Sequence, residues 1–311
     1  MSGLQQMGIK CQIRSTSVSA ANAKVMIAIL TPHRRAAAGL AGALVCLMAG
    51  AWPLSAPAQG RLKATYTISM TGVSIGQIVW LVDINDKRYV TSAHGKASGV
   101  LSMLVNGEGS VVTHGVIAED RLLPSYFTSR ISDDEGNSDL RMTFEDGAVK
   151  DLIGPPPPPA NRVAVTEADR RGVSDPLTAM LMPAQAGGDA LAAGNCARVL
   201  PIFDGRRRYN LALSFKRLDN VKLARGFSGP ILVCGVILQP IAGYRADSML
   251  VKYVAGRRDL ELWFAPIVGT SFIAPIRVLL PTLLGTLEIA AERFDAVAVP
   301  PAAPPASPSP Q

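Results

Sequence analysis

The stretch PIFDGRRRYNLALSF, Pro201–Phe215, decides the class of fold. Asp204-Gly205 stands between two apolar-rich runs. That pair is the strongest short-range hairpin signal, because a type I′ turn needs positive φ at both central positions. Beyond it, Tyr209, Leu211, Leu213 and Phe215 share one parity, while Asn210, Ala212, Ser214 and Lys216 share the other. This is the period of a half-buried strand. Arg206 and Arg208 follow the polar parity, and Arg207 falls at the wet end of the apolar one.

The same texture continues in both directions. KATYTISM carries Ala64, Tyr66, Ile68 and Met70 on one parity, Gly72 marks a turn, and VSIGQIVWLVDI runs to Asn85-Asp86. RYVTSAHGKA (Arg88–Ala97), SVVTHGVI and SYFTSRISD read as further strands. DDEGNSD, Asp133–Asp139, is a polar turn, and LRMTFEDGAVKDLI is a hairpin about Asp146-Gly147. From Cys196 onward, ARVLPIF, PILVCGVILQPI, MLVKYVA, LELWFAPI, FIAPIRVLL and TLLGTLEIAAERF read as strands. Two short helices are expected. One is a helical turn in Ser98–Gly109 with Val100, Leu101 and Leu104 inward; the other is LTAMLMPA, which Asp175-Pro176 would cap. A proline-rich connector over 154–160 suits polyproline II, and 300–311 reads as a disordered Pro/Ala/Ser tail. About a dozen strands at such spacing predict a mainly β protein. The fold class is an antiparallel curled sheet, as a roll, sandwich or open barrel, forming one β-rich domain over 59–299.

The chain has 311 residues, and its net charge of +7 is unevenly placed. Residues 1–58 hold Lys10, Arg14, Lys24, Arg34 and Arg35 and no acid, which leaves 26 basic against 24 acidic residues in the rest. A nearly neutral body argues against nucleic acid as a partner. The leader has a basic flank (His33–Arg35), an apolar segment (Ala36–Trp52) and a small-residue exit, Ala56-Pro57-Ala58. It reads as a cleaved signal peptide over 1–58, with Met26 as an alternative start and a retained anchor as the alternative fate. Val45 before Cys46 does not suit a lipobox. Beyond the leader the longest apolar run, Ile231–Leu238, is strand-sized, so no transmembrane segment is expected in the mature chain and a periplasmic location is. Cys196 and Cys234, both in strand-like runs, favour one disulfide in an oxidising compartment. Two buried thiols are the alternative.

Chemistry is sparse. Gly72–Gly76, GVSIG, matches G-x-S-x-G, but a strand follows Ser74 where a nucleophile elbow needs a helix. A hydrolase using Ser74 is therefore the weakest reading, and the glycines suit a turn or bulge. His94 and His114 lack a third ligand, so no metal is expected, and no cofactor motif is present. The arginines of 206–208 read either as a solvated hairpin tip or as an anion-binding rim.

CARVLPIFDGRRRYNLAL, GPILVCGVILQPIAGYR and LELWFAPIVGTSFIAPIRVLLPTLLGTLEI resemble the bacterial exported family called domain of unknown function 3108. YTISMTGVSIGQIVW, SGVLSMLVNGEGS and LLPSYFTSR fit the same pattern, so the likeness covers about residues 60–295, with FDGRRRY and PIAGYR most specific. The resemblance implies a β-rich exported body, strengthens the pairing of Cys196 with Cys234, and offers no catalytic residues. The functional expectation is a non-catalytic periplasmic protein that binds a lipid, a glycan or another envelope component, with Arg206, Arg207, Arg208 and Tyr209 at the mouth of a concave face. The alternative is an envelope interaction protein that offers a sheet edge to a protein partner.

Overall fold

Alternation becomes strand wherever one face can be buried. In β1 (Gly60–Met70), Leu62, Ala64 and Tyr66 are buried while Arg61 and Lys63 are exposed. The same rule places Trp80, Val82 and Ile84 of β2 (Val73–Ile84) inside. It also places Leu140, Met142 and Phe144 of β6 (Gly136–Glu145). Between these lie β3 (Arg88–Ala97), β4 (Gly107–Ala118) and β5 (Arg121–Asp133), with β7 (Ala148–Ile153) after them. A connecting segment carries helix α1 (Pro176–Ala179) and the two-residue β8 (Met182–Pro183). The second half comprises β9 (Val199–Phe203), β10 (Arg208–Lys222), β11 (Ser228–Ala242), helix α2 (Met249–Gly256), β12 (Leu260–Pro266), β13 (Phe272–Thr282) and β14 (Gly285–Ala298).

These elements belong to a computed structural model that describes residues 59–98, 107–118, 121–134, 136–154, 161–184 and 189–300. The leader 1–58, residues 99–106 of the expected helical turn, the proline run 155–160 and the tail 301–311 lie outside the described residues. Residues 54–311 cluster as one compact unit.

The sheet is an antiparallel meander of 14 strands in the order β7-β6-β5-β4-β3-β2-β1-β14-β13-β12-β11-β10-β9, with β8 on β13. First and last strands are neighbours, since β1 pairs with β14. The ladder is curled and unclosed, with β7 and β9 as its edges. Arg171–Ser174 touches both. Arg171 bridges Ala148, and the Gly172 amide donates to the Gly147 carbonyl at 2.8 Å. On the other side the Ser174 amide donates to Pro201 O and its carbonyl accepts from the Phe203 amide, each at 2.9 Å. One core sits under this seam, where Val173 and Phe203 pack with Phe127, Leu140, Met142 and Phe144. Burying Val173 and Phe203 is worth about 1.5–3 kcal/mol each, against about 1 kcal/mol net per hydrogen bond. Packing therefore does more than the ladder to hold the seam.

The apolar run in β11 is buried on both faces: Ile231 to Val236 are all buried. Ile231 and Val233 join a core with Leu62, Tyr66, Trp80, Tyr89 and Phe294. Leu232, Cys234 and Val236 join another with Leu262, Phe264 and Val254 of α2. Cys196 and Cys234 are disulfide-bonded within the latter, Cα atoms 5.6 Å apart.

Several local expectations are corrected. MLVKYVA is helix α2, not a strand. Ser248 caps it, accepting from the Val251 amide at 3.4 Å, and Val254 faces the core one turn later. The β-branched content masked that spacing. TLLGTLEIAAERF is divided at Leu283-Leu284, the hairpin between β13 and β14. Cys196 lies in a 3-10 turn, Ala193–Cys196, not in a strand. Gly107–Gly109, placed in the helical turn, begin β4. GVSIG does contain a bulge: Ile68 pairs with Gly76 and Ser69 with Ser74, leaving Ile75 extra.

The cross-link closes a 38-residue separation. Chain entropy for such a loop predicts that Cys196→Ser with Cys234→Ser lowers stability by about 3–4 kcal/mol. Urea unfolding of the variant, and of the wild type with and without reductant, checks this. Coincident curves would remove the cross-link from the stability of the fold.

Candidate functional site

The connecting segment places α1 against the inside of the sheet. Asp175 caps the helix: its Oδ1 accepts from the amides of Leu177 (3.0 Å) and Thr178 (2.9 Å). Its Oδ2 accepts from the Thr178 hydroxyl at 2.6 Å and lies 3.0 Å from the Thr113 hydroxyl of β4. With the Thr178 proton committed, the Tyr89 phenol donates to Thr178 Oγ1 at 2.8 Å. All four residues are buried. Burial pushes the Asp175 carboxyl up, and the hydrogen bonds pull the other way. Every polar atom of this cap has a partner, so it anchors α1 to β3 and β4 without an orphaned group.

Two hollows flank the helix, and Leu177 lines both. The larger, 660 Å³, is bordered by Phe127, Ile131 and Leu140 of β5 and β6, by Pro176, and by Arg206 and Arg207. Asp133 and Asp204 also border it, so its rim carries both signs. The smaller, 350 Å³, is an apolar chamber. Tyr66, Ile78, Trp80 and Ala93 form one wall, Leu177 and Met180 of the connecting segment another, and Leu211, Val236, Leu262, Val278, Leu280 and Ile289 the rest. Glu261 is the one charged residue lining it. Its oxygens are occupied by Lys216 Nζ at 2.5 Å, Arg217 at 3.1 and 3.3 Å, and Trp263 Nε1 at 2.7 Å. Burial raises the Glu261 carboxyl, but Arg217, Lys216 and Trp263 together outweigh it and hold it at about 2.

The arginine hairpin differs from a two-residue type I′ turn. Its loop spans Asp204–Arg207, closed by the Asp204 amide donating to Arg207 O at 3.1 Å. Asp204 Oδ1 accepts from the amides of Arg206 (2.9 Å) and Arg207 (2.7 Å), and of the Asp-Gly pair only Gly205 has positive φ. The side-chain carboxylate supplies the closure that the turn type would otherwise give. The arginines part company. Arg206 and Arg207 are exposed, and Arg206 reaches the Ser138 hydroxyl of β6 at 3.3 Å. Arg208 is half-buried and donates to Tyr209 O (2.6 Å) and Asn210 Oδ1 (2.7 Å). Burial pushes the Tyr209 phenol up. The hairpin reading therefore holds, and Arg208 shares the face of Asn210 as its parity predicts, half-buried there.

FDGRRRY and PIAGYR meet in space. A Cβ on Gly243 would stand 2.0 Å from Arg206 O and 2.8 Å from Arg207 Cα. The Arg207 guanidinium lies 5.8 Å over the Tyr244 ring. The hairpin thus rests on a glycine at φ +80, a position that needs both the missing side chain and the left-handed backbone.

The remaining candidates do not converge. Ser74 is exposed on β2, and a strand, not a helix, continues from it. His94 pairs with Ser110 and His114 with Val90, four positions apart along neighbouring strands, and His114 stacks on Tyr126. Among the described residues no cluster of three His, Cys, Asp or Glu could hold a metal. Leu177 and Met180 were not singled out from sequence: LTAMLM signals a helix, but nothing in it marks a helix enclosed by a sheet. The chamber's other walls come from strands as distant in sequence as those of Tyr66 and Ile289 and have no sequence signature.

A family model described as protein of unknown function (DUF3108) matches residues 65–292, and the chain belongs to this family. No curated protein matches. Among solved structures, the chain is similar to a crystal structure of a β-barrel-like protein of domain of unknown function DUF1849 from Brucella abortus. The two share 10% identity with a TM-score of 0.44, over 78% of this chain and 99% of that one.

Two outcomes follow from this geometry. Gly243→Ala should cost about 1–3 kcal/mol through strain at positive φ and displacement of the hairpin; an unchanged melting curve would mean the contact is slack. Glu261→Gln should be less stable than wild type at neutral pH. Because the folded carboxyl sits below its ordinary 4.5, the carboxylate's contribution is present above that value and lost as pH falls through about 2. The gap between variant and wild type in urea should therefore narrow with acid. A gap independent of pH would show that charge at Glu261 does not carry it.

Proposed function

We propose that this member of the DUF3108 family is a non-catalytic, exported binding protein of the periplasm. In this reading it holds the acyl chain of an amphipathic ligand in the apolar chamber, with the ligand's anionic or glycan head towards Arg206 and Arg207. The observation that carries the proposal is the chamber itself: a 350 Å³ hollow inside the sheet, lined almost wholly by apolar side chains. Such a hollow is what apolar ligands occupy, and an unfilled one forgoes the dispersion contacts its lining could make. The larger hollow adds support, because it meets the chamber at Leu177 and has polar groups on its rim. The assignment of the head is the finer part of the proposal. Asp133 and Asp204 lie on the same rim, so the head would meet both signs of charge there.

Ala93→Trp fills the chamber from its wall, and Arg206→Ser with Arg207→Ser strips the rim while leaving Arg208 in place. With an environment-sensitive fatty acid as probe, the first variant should lose binding by about tenfold or more, at a stability near wild type. The second should weaken the fatty acid several-fold and leave an uncharged fatty alcohol unaffected. Solvent extraction and native mass spectrometry of protein purified from the exporting cell should yield a reproducible co-purifying lipid. No extracted lipid together with wild-type probe binding in Ala93→Trp would sink the proposal.

A further inference from the structure

The two ends of the sheet differ in chemistry. One end gathers the hairpins at Thr71-Gly72, Asp204–Arg207 and Leu283-Leu284, with the connection that carries α2. Antiparallel order fixes this, because β1, β9, β11 and β13 all run towards it. In these connections large apolar side chains stand in solvent: Leu284 is 82% exposed, Met249 77%, Leu283 54% and Leu250 51%. The opposite end is turned at Asn85–Lys87, Asp146-Gly147, Leu223–Phe227 and Ile267–Ser271, and among the described residues of those turns only Val268 is comparably exposed. The apolar tips also have cationic company. Lys252 and Arg258 on and beside α2, and Arg206 and Arg207 on the hairpin, are exposed and form no ion pair among the described residues. Asp247 and Asp259 nearby are occupied by Arg245 and Arg257, and the exposed Asp133 and Asp134 of this end stand on the β5–β6 turn, a different connection from those that carry the leucines.

We propose that this end docks on an anionic lipid bilayer, with Leu283-Leu284 and Met249-Leu250 entering the interface and the exposed cations resting on the headgroups. Leucines on separate tips can enter between lipids one by one, and basic residues beside them match an anionic surface. A protein partner would instead be met by a continuous apolar face. The larger hollow opens at the same end, since Gly136, Asn137, Arg206 and Arg207 border it. Docking stands on the chemistry of this end; only its purpose, exchanging ligand between bilayer and chamber, rests on the function proposed above.

The test uses flotation with vesicles, on protein purified from the exporting cell. Wild type should float with phosphatidylcholine vesicles containing phosphatidylglycerol, and much less with phosphatidylcholine alone or in high salt. Leu283→Ser with Leu284→Ser should lower partitioning by about tenfold. Met249→Ser with Leu250→Ser, an independent pair on a different element, should do the same, and Val268→Ser at the far end should not. No flotation of the wild type, or equal flotation of both double variants, overturns the proposal. So does a concentration-dependent dimer that either pair dissociates without any flotation, which would give the tips to a second copy. Probe binding measured on the same variants separates the two ideas. Flotation lost with probe binding kept identifies docking alone, while flotation kept by a chain that binds no probe leaves docking standing and removes the chamber's role.

Discussion

The six consecutive buried residues of β11, Ile231 to Val236, constrain the rest of the sheet. A strand with one wet face can be satisfied by a flat or gently curled sheet. A strand buried on both faces needs cover on each side. Here Ile231 and Val233 face the packing of β1, β2 and β14, while Leu232, Cys234 and Val236 face α2 and the 3-10 turn at Cys196. The meander must therefore curl far enough for its two halves to meet, and the segment before β9 must return to cover the second face. The disulfide fixes that return at a position already buried. Its role is best seen as holding the cover on a strand that could not face water.

Curling creates a seam, and the seam explains the connecting segment. Edge strands offer unpaired backbone groups to any passing strand. Arg171–Ser174 bonds to β7 and β9 together, and Val173 with Phe203 supplies the apolar packing beneath. On β9 the segment occupies the backbone from Pro201 to Phe203, so a strand added there would have to displace it first, while on β7 it reaches Gly147 and Ala148. The same segment then carries α1 inward, so that closing the seam and dividing the interior at Leu177 are done by one stretch of chain.

The sequence was legible where a residue's fate depends on its near neighbours. Alternation gave β1, β2 and β3 with their bounds, because face burial has the same period as the chain. Asp146-Gly147 gave a hairpin with positive φ at both positions. Asp204-Gly205 gave the hairpin but not its geometry, since the Asp204 side chain closes a longer loop. MLVKYVA misled because Val251 and Val254 have strand propensity, while the position that decides it, Ser248, is a single cap. Candidate site residues were legible only as a motif. FDGRRRY was visible, but its support on Gly243 and the division of labour between Arg207 and Arg208 depend on contacts across the sheet. The apolar chamber was not legible at all, because its lining is ordinary core sequence until the curl leaves a gap between the two halves.

That gap stays apolar for an identifiable reason. Two carboxylates approach it, and each is satisfied elsewhere. Glu261 has its oxygens taken by Lys216, Arg217 and Trp263, and the resulting cluster keeps it ionised and bound. Asp175 is spent on the cap of α1 and on Thr113 and Thr178, and it does not line the chamber. A carboxylate left free in the wall would draw water into the hollow. Removing its freedom by bonding leaves a surface on which only apolar matter gains by replacing water. The division at Leu177 follows the same logic: polar groups are gathered in the larger hollow, and the smaller is left to hydrocarbon.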